Sequence, residues 1–498
     1  MKAISVFFSL ALSIFCAQHV FAQIDGALTD RSDNLARIGK LKNFSSNQLP
    51  PSRFCIGFGA LDRKVFDPEK AYDIIASSGV KNARCQTGWA RTETKKGVYD
   101  FKWIDDVVDN LRARGIQPWF NVGYGNPLYM GKTDNPTAVG HVPLYYGEEC
   151  LQAWKNYVRA LAEHFKGRVF DYEIWNEPNI KKFWQPEKVS PEDYARFVKL
   201  SADEIRKADP NARVGACKAG GFDNYFTSLM RAPGAREIEF FCFHEYSGLP
   251  ETDFPRSVRA ARAFLKSIGS KAEIHQGESG YPAYIPKNCW FAPHAWHSSS
   301  EDIQAKWLLR RYVSDLSLDL ERTSYLMIID FNSNYSVAGG KGYDEAVWGL
   351  MENAPRYKVR KALGVSKNFF ALFDGNVKPA EYHFSVSLDT PYPKKAHVSR
   401  LNLAAASLVS KSFDRNGWAM YAYYIPEDLQ LQSPPIEGAD LLITGSDAPK
   451  PLKEPVLVDM MTGAVYSLSR GGRNLPITDY PLVLTSREAI ADIIDFGK

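Results

Sequence analysis

A chain of 498 residues exceeds what one ordinary compact domain holds, and 45% hydrophobic with 13% aromatic residues can fill more than one core, so two folded units are expected. The net charge of +4 comes from 61 Lys and Arg set against 57 Asp and Glu, interleaved along the chain. That balance leaves no basic footprint for nucleic acid and excludes that class of partner, while a mild preference for acidic glycans stays compatible with it.

The chain begins Met-Lys, continues with an apolar run from Ile4 to Phe15, and reaches Val20-Phe21-Ala22 with small residues where a signal peptidase inspects. Cleavage after Ala22 and export, to a secreted or periplasmic location, are the expectation. The run is too short to span a bilayer, which takes roughly twenty residues, and no later segment is as long and uncharged, so no membrane span is expected. Phe15, where a lipoprotein signal needs a small residue before Cys16, argues against lipidation. Cys55, Cys85, Cys150, Cys217, Cys242 and Cys289 show neither metal-knuckle nor disulfide-scaffold spacing, and the four in strand-like runs read as buried thiols.

From Phe54 onward, short apolar runs alternate with amphipathic stretches, the pattern of parallel strands joined by crossover helices. Strands are predicted at Phe54–Gly59, Val80–Gln86, Gln117–Tyr124, Val169–Asn176, Arg213–Lys218, Phe240–Glu245, Ala272–Glu278 and Tyr325–Asp330. Helices fall between and after them, at Pro68–Ser78, Trp103–Arg114, Gly147–Phe165, Pro191–Ala208, Asn224–Arg231, Thr252–Ile268, Ser300–Asp319 and Lys358–Phe373. Ser190-Pro191-Glu192-Asp193 carries a helix-start signal: a hydroxyl cap, Pro at the first helical position and acids in the first turn. Eight units predict an α/β fold of the (β/α)8 TIM-barrel kind.

After Phe373 the texture changes to short alternating segments, Trp418–Tyr424, Asp440–Thr444, Val456–Asp459 and Pro481–Thr485, separated by Pro, Gly and Asn. These predict a C-terminal β-sandwich. The expected organisation is a signal peptide over 1–22, an N-terminal segment over 23–51, a catalytic barrel over 52–375 and a sandwich over 376–498. Segment 23–51 reads either as a tail or as a first sandwich strand wrapping back.

Reactive groups of such barrels cluster at the carboxyl ends of the strands. Strand four ends Asp171-Tyr172-Glu173-Ile174-Trp175-Asn176-Glu177-Pro178-Asn179, and Pro178 predicts an extended Glu177. Strand seven ends Ile274-His275-Gln276-Gly277-Glu278-Ser279-Gly280. The two strands lie on opposite sides of the mouth, so Glu177 and Glu278 can face each other across a substrate, as glycosidic cleavage requires: one group protonates the leaving oxygen while the other meets the positive charge growing on the anomeric carbon. Either glutamate alone would read as well as a salt bridge or helix cap; the pair, inside Asn-Glu-Pro and Gly-Glu-Ser-Gly, does not. Glu173 shares the inward parity of Glu177 and reads as a buried, hydrogen-bonded support.

On these motifs the chain resembles the glycoside hydrolase clan A barrels, in particular family 39 and its relatives of the β-xylosidase and α-L-iduronidase type. The likeness covers Phe54 to Phe373 and extends to the phrases Pro455-Val456-Leu457-Val458-Asp459-Met460-Met461-Thr462-Gly463 and Thr478-Asp479-Tyr480-Pro481. It implies a retaining hydrolase of poly- or oligosaccharides with Glu177 as acid/base, Glu278 as nucleophile, and carboxyl groups roughly 5 to 5.5 Å apart. It further implies that Asn176 donates to the sugar 2-hydroxyl, Arg84 keeps the nucleophile ionised, Tyr246 bonds Glu278 and His244 lines the sugar subsite. Two positions depart from the pattern: Gln86 stands where the family often has His, and strand eight runs Met327-Ile328-Ile329-Asp330-Phe331-Asn332 without the usual Trp. Phe331, or a Trp from a neighbouring loop, is left to take its place.

Trp89, Trp119, Tyr124, Trp175, Trp184, Tyr281, Trp290 and Trp296 are candidates to stack on sugar rings, with Trp119 and Trp175 equally readable as barrel filling. Trp290 and Trp296, in the polar loop after strand seven, are the ones expected to touch substrate. No cofactor and no metal are expected. A zinc hydrolase would draw on His244, His275 and Asp330, but strand one, Cys55-Ile56-Gly57-Phe58-Gly59, offers no ligand. The alternative of another class is a catalytically inactive glycan-binding protein on the same fold, which the joint presence of Glu177, Glu278, Asn176 and Arg84 opposes. The sugar, exo or endo action and the oligomeric state are not written in the sequence.

Overall fold

The computed structural model describes residue 28 and residues 34–246, 249–284, 300–331, 347–388, 408–426 and 441–496. The chain divides into two units, one holding Asn43–Asn376, the other the described residues up to Lys42 and from Val377 onward.

In the second unit β1 (Leu35–Leu41) pairs antiparallel with Ala464–Leu468 and with Ile494–Asp495. In the first, eight strands run parallel and close on themselves: β2 (Phe54–Phe58), β3 (Asn82–Gln86), β4 (Gln117–Val122), β5 (Asp171–Ile174), β6 (Arg213–Ala219), β7 (Phe240–His244), β8 (Glu273–Ser279) and β9 (Arg322–Tyr325). Being covered on both faces, these strands are near-continuously buried instead of alternating; Phe54 to Phe58, for example, are all buried. Cys55, Trp119, Cys217, Phe240 and Cys242 fill the barrel interior. Cys55, Cys85, Cys150, Cys217 and Cys242 are all buried free thiols, while Cys16 and Cys289 lie outside the described residues.

The crossover helices are Tyr72–Ala76, Lys102–Ala113, Gly147–His164, Pro191–Ala208, Asn224–Arg231, Asp253–Ser267, Glu301–Ser317 and Lys361–Leu372. Each follows its strand for sequence reasons. Helix Lys102–Ala113 buries Ile104, Val107, Val108 and Leu111, a stripe at three- and four-residue spacing. Helix Pro191–Ala208 starts where Ser190 accepts from the Asp193 amide with Pro191 in the first turn, as its sequence predicts. Among the described residues no helix is long and apolar enough to cross a membrane.

Strand eight differs from its prediction. The ladder covers Arg322–Tyr325, and the more apolar Met327-Ile328-Ile329 follows it instead of forming it. A Cβ on Gly57 would lie 1.5 Å from the Leu326 carbonyl oxygen, so the bare glycine admits that carbonyl. The chain then bonds irregularly, Leu326 N to Ser279 O at 2.6 Å and Ile328 N to Gly57 O at 3.0 Å. Hydrophobicity alone cannot separate a buried strand from a buried loop.

The second unit is antiparallel throughout. Besides β1 it contains β10 (Val377–Pro379), β11 (Ser385–Leu388), β12 (Val409–Arg415), β13 (Trp418–Tyr424), β14 (Leu441–Thr444), β15 (Pro455–Asp459), β16 (Ala464–Leu468), β17 (Leu482–Ser486) and β18 (Ile494–Asp495). Eight form one sheet in the order β10-β12-β13-β17-β15-β16-β1-β18, and β11 pairs with β14. Tyr421, Tyr423, Leu457, Tyr466, Leu482 and Leu484 are core members, each fully buried aliphatic side chain there contributing roughly 1.5–3 kcal/mol. A (β/α)8 barrel followed by antiparallel sheets is the fold class read from the sequence.

Candidate active site

The carboxyl ends of β3, β5, β7 and β8 deliver one connected cluster. Arg84, at the third position of β3, is buried and donates from Nε and Nη2 to both oxygens of Glu173, at 2.8 and 2.7 Å. Its Nη1 reaches Glu278 Oε1 at 2.6 Å and its Nη2 the Asn176 side-chain oxygen at 3.1 Å. One planar guanidinium therefore organises three side chains from two other strands. Because the Asn176 oxygen accepts from Arg84, its amide NH2 is the end left to meet a hydroxyl group.

Glu173 is the support the strand parity predicts. Burial alone would raise its pKa, but the Arg84 charge, the Arg84 hydrogen bonds and His244 hold it well below the ordinary carboxylate range. Asn121 of β4, which sequence reasoning did not single out, adds a bond to Glu173 Oε1 at 3.2 Å and a second to the Trp175 carbonyl at 2.6 Å.

That second bond helps hold an unusual backbone. Trp175 and Glu177 sit at φ of 68° and 46°, in the left-handed region, at a cost of about 1–3 kcal/mol each. The extended Glu177 expected from Pro178 is thus corrected. Pro178 disfavours only the right-handed helical region for the residue before it. The Trp175 amide bonds Val122 O at 2.8 Å, its indole bonds Phe183 O at 2.6 Å, and Ile180 N bonds Glu177 O at 3.0 Å. These contacts twist the segment so that Asn176 and Glu177 present themselves beyond the end of β5.

Across the mouth, Glu278 accepts from Tyr246 Oη at 2.8 Å as well as from Arg84. Burial works to raise its pKa, but the His244 and Arg84 charges and the Tyr246 hydrogen bond outweigh it and lower the pKa. His244 is buried beneath the carboxylates instead of presenting an open face: Nε2 lies 3.3 Å from Glu173, and Nδ1 lies 3.3 Å from Glu177 and 3.8 Å from Glu278. Burial would lower its pKa, yet Glu278, Glu173 and Glu177 raise it to about 9. A group whose folded pKa exceeds its unfolded value contributes stability fully present below about 6.5 and lost as pH rises through 9. The imidazole NMR signal of His244 is therefore expected to titrate near pH 9, and a midpoint at or below 6.5 would contradict the arrangement.

Oxygens of Glu177 and Glu278 and a nitrogen of His244 all lie within 4.8 Å of one another. Three such atoms could in outline surround a metal ion, as could Glu173, Cys217 and His244. Neither set suits one: the Arg84 cation already occupies Glu173 and Glu278. His275 and Asp330 are elsewhere engaged, His275 stacked on Phe240 at 4.7 Å and Asp330 bound to Arg360 and to the Gly349 amide.

Of the aromatic candidates, Trp89, Trp119, Trp175 and Trp184 are fully buried, and Tyr124 and Tyr281 nearly so. They fill the structure instead of offering faces to a sugar, because large flat rings between strands and helices bury more area inward than outward. Trp290 and Trp296 lie outside the described residues. Trp348 was not found from the sequence. Its ring meets Tyr246 edge-on at 5.3 Å, and a Cβ on Gly280 would touch it at 3.0 Å. It approaches Tyr246, the partner of Glu278, from the segment beyond β9, a place no motif marks. Phe331 is buried. Gln86 accepts from the Ala60 amide at 2.9 Å and from Arg63 at 3.1 Å.

The model of glycosyl hydrolases family 39 matches residues 66–260, a stretch that contains the five strands β3 to β7 with Arg84, Asn176, Glu177, His244 and Tyr246, while β2 and β8 with Glu278 lie outside it. Two curated proteins named beta-xylosidase are similar: one from Geobacillus stearothermophilus, 26% identical over 30% of this chain and 31% of its own length, and one from Caldicellulosiruptor saccharolyticus, 25% identical over 47% and 49%. The chain thus spans half or less of these relatives. Among solved structures, a family 39 glycoside hydrolase from Bacteroides cellulosilyticus WH2 superposes with a TM-score of 0.61 at 15% identity, covering 90% of this chain and 83% of that one. A GH30 endoxylanase from Clostridium papyrosolvens C71 gives 0.53 at 10% identity, covering 90% and 97%. Both share the fold.

Proposed function

We propose that the chain is a retaining glycoside hydrolase with Glu177 as acid/base and Glu278 as nucleophile, and that its substrates are β-linked glycans, xylosides first among them. The observation that carries this reading is the meeting of the two carboxylates at the barrel mouth, an oxygen of each lying within 4.8 Å of the other. That closeness supports a double displacement, in which the carboxyl groups stand roughly 5–5.5 Å apart. The xyloside preference rests on the names of the relatives alone.

In the reaction, the Glu278 carboxylate attacks the anomeric carbon as Glu177 gives its proton to the departing oxygen, leaving a glycosyl ester on Glu278. Glu177, now a carboxylate, takes a proton from water while that water's oxygen attacks the same carbon and frees Glu278. Arg84, His244 and Tyr246 keep Glu278 ionised before attack and stabilise it as it leaves. Asn176 offers its NH2 to the sugar 2-hydroxyl.

The test is release of the aryl group from a panel of aryl β-glycosides, with proton NMR of the first-formed anomer. Release with retained configuration supports the reading, and an inverted first product sinks the mechanism. Glycan binding without release across the panel would favour an inactive binding protein. Tyr246→Phe is expected to lower kcat/KM about 10- to 100-fold, the worth of one hydrogen bond to a charged group, and to move the acid limb of the pH profile upward because Glu278 loses a donor. Export belongs to the same proposal, carried by the N-terminal apolar run and Val20-Phe21-Ala22; a mature protein whose sequence begins elsewhere than Gln23 would count against it.

A further inference from the structure

Gln276 stands two residues before Glu278 on β8, is fully buried, and takes no part in the chemistry above. Its side-chain amide meets a stretch of backbone. Nε2 donates to the Glu245 carbonyl at 3.0 Å, and Oε1 accepts from the Glu245 amide at 3.4 Å. A side-chain amide carries a donor and an acceptor side by side, so it closes on both groups of one residue as a neighbouring strand would.

The backbone ladder between β7 and β8 ends at the pair Phe243 and Gln276, and Glu245 lies two residues past that last rung. Beyond Gln276 the register of β8 against β9 shifts. Gly277 gives its space to the His244 ring, since a Cβ there would lie 2.8 Å from His244 Nε2. The Gln276 side chain therefore continues the pairing of β7 where the main chain of β8 stops. Arg311, from helix Glu301–Ser317, adds a bond from Nη2 to the same Glu245 carbonyl at 3.3 Å.

Glu245 joins the two β7 residues that attend Glu278. On one side His244 Nδ1 lies 3.8 Å from the Glu278 carboxylate, and on the other Tyr246 Oη donates to it at 2.8 Å. The hydroxyl sits at the far end of a long ring, so a small rotation of the Glu245 backbone moves it much farther than the backbone itself moves. Hydrogen bonds weaken steeply with lost distance and alignment.

We propose that Gln276 is a positioning residue, which holds the Tyr246 hydroxyl on Glu278 by clamping the Glu245 backbone; this rests on the glycosidase reading above, in which Glu278 is the nucleophile. Glu278 is faced by Arg84 from β3, by Glu173 and Glu177 from β5 and the segment after it, and by His244 and Tyr246. Of these, the Gln276 clamp bears on the last two, which flank Glu245.

NMR of the full chain carrying 13C-labelled tyrosine rings tests this, with the Tyr246 signal identified by its loss in Tyr246→Phe. Through its hydrogen bond the ring reports the protonation of Glu278 as pH falls. In the parent the midpoint is expected below the ordinary glutamate value of about 4.3. Gln276→Met is similar in volume but bonds neither Glu245 group, and Gln276→Asn is one methylene too short to span both. In each the Tyr246 midpoint should rise, because Glu278 loses a donor, while the imidazole signal of His275, beside Gln276 in the chain and stacked on Phe240 at 4.7 Å, stays in place. With an aryl glycoside, Gln276→Met should lower kcat/KM about 10-fold and cost little more when added to Tyr246→Phe, since two residues acting through one contact are not additive. A Tyr246 midpoint unchanged in both variants overturns the proposal. So does a His275 signal displaced along with it, which would make Gln276 a support of the strand alone. The NMR readout needs no turnover, so a chain inactive on every aryl glycoside would sink the glycosidase reading and still leave the role of Gln276 decided.

Discussion

Glu278→Gln is expected to lose about 10⁴- to 10⁶-fold in kcat, the scale on which removal of a covalent nucleophile acts, while the protein remains folded. Gln is isosteric and keeps one oxygen to accept from Arg84, while its NH2 can donate to the Tyr246 hydroxyl; in the parent these two groups hold the separate carboxylate oxygens at 2.6 and 2.8 Å. What it cannot do is attack the anomeric carbon. The companion variant Glu177→Ala separates the two roles. With an activated aryl leaving group that needs little protonation, Glu177→Ala should still form the glycosyl ester and then stall, and azide, which needs no general base, should restore turnover and yield a glycosyl azide of retained configuration. Azide rescue of the Glu278 variant with inverted configuration would agree with these roles, whereas rescue in the reverse order would exchange them. Kinetics of both variants with and without azide, with product configuration by NMR, decide the matter.

Arg84→Met is expected to cost roughly 3–5 kcal/mol of stability at neutral pH, because it leaves buried carboxylates without their cation. Glu173 is entirely enclosed and Arg84 meets both of its oxygens; Met matches the volume but not the charge. The pH dependence identifies the cause. In the parent, the depressed folded pKa of Glu173 gives stability that is present above its unfolded value, about 4.3, and lost as pH falls through the folded one. In the variant, burial acts unopposed by Arg84, and the cost of an ionised Glu173 grows as pH rises. The gap between parent and variant should accordingly be widest near pH 7 and shrink toward pH 4. Denaturant unfolding at the two pH values measures it, and a gap independent of pH would mean that lost packing, not lost charge pairing, destabilises the variant. Activity should fall as well, since Glu278 and Asn176 lose the same partner.

The sequence reaches as far as it does because barrel chemistry sits where strands end. Apolar runs mark those ends, and a polar residue just past an apolar run is conspicuous in print. Asn176, Glu177, His244, Tyr246 and Glu278 lie at or just past such ends, Arg84 stands at the third of the five positions of β3, and the structure brings all of them into one connected cluster. Asn121 is hidden inside an apolar strand and Trp348 follows no strand pattern, so neither stood out. The strand-eight register was missed because Met327-Ile328-Ile329 is the most apolar stretch there, yet Gly57 admits a carbonyl that turns this stretch out of the ladder.

By itself, then, the sequence determined the alternation of strand and helix, the two-unit organisation, the capped start of Pro191–Ala208 and the identity of the two facing glutamates, all consequences of local patterning repeated along the chain. Only the tertiary structure decided that Glu177 is left-handed instead of extended, that His244 lies under three carboxylates, and that most of the tryptophans are interior. Each of these is a contact between segments distant in sequence, and charge, strain and burial are set by such neighbours, which no window of consecutive residues contains.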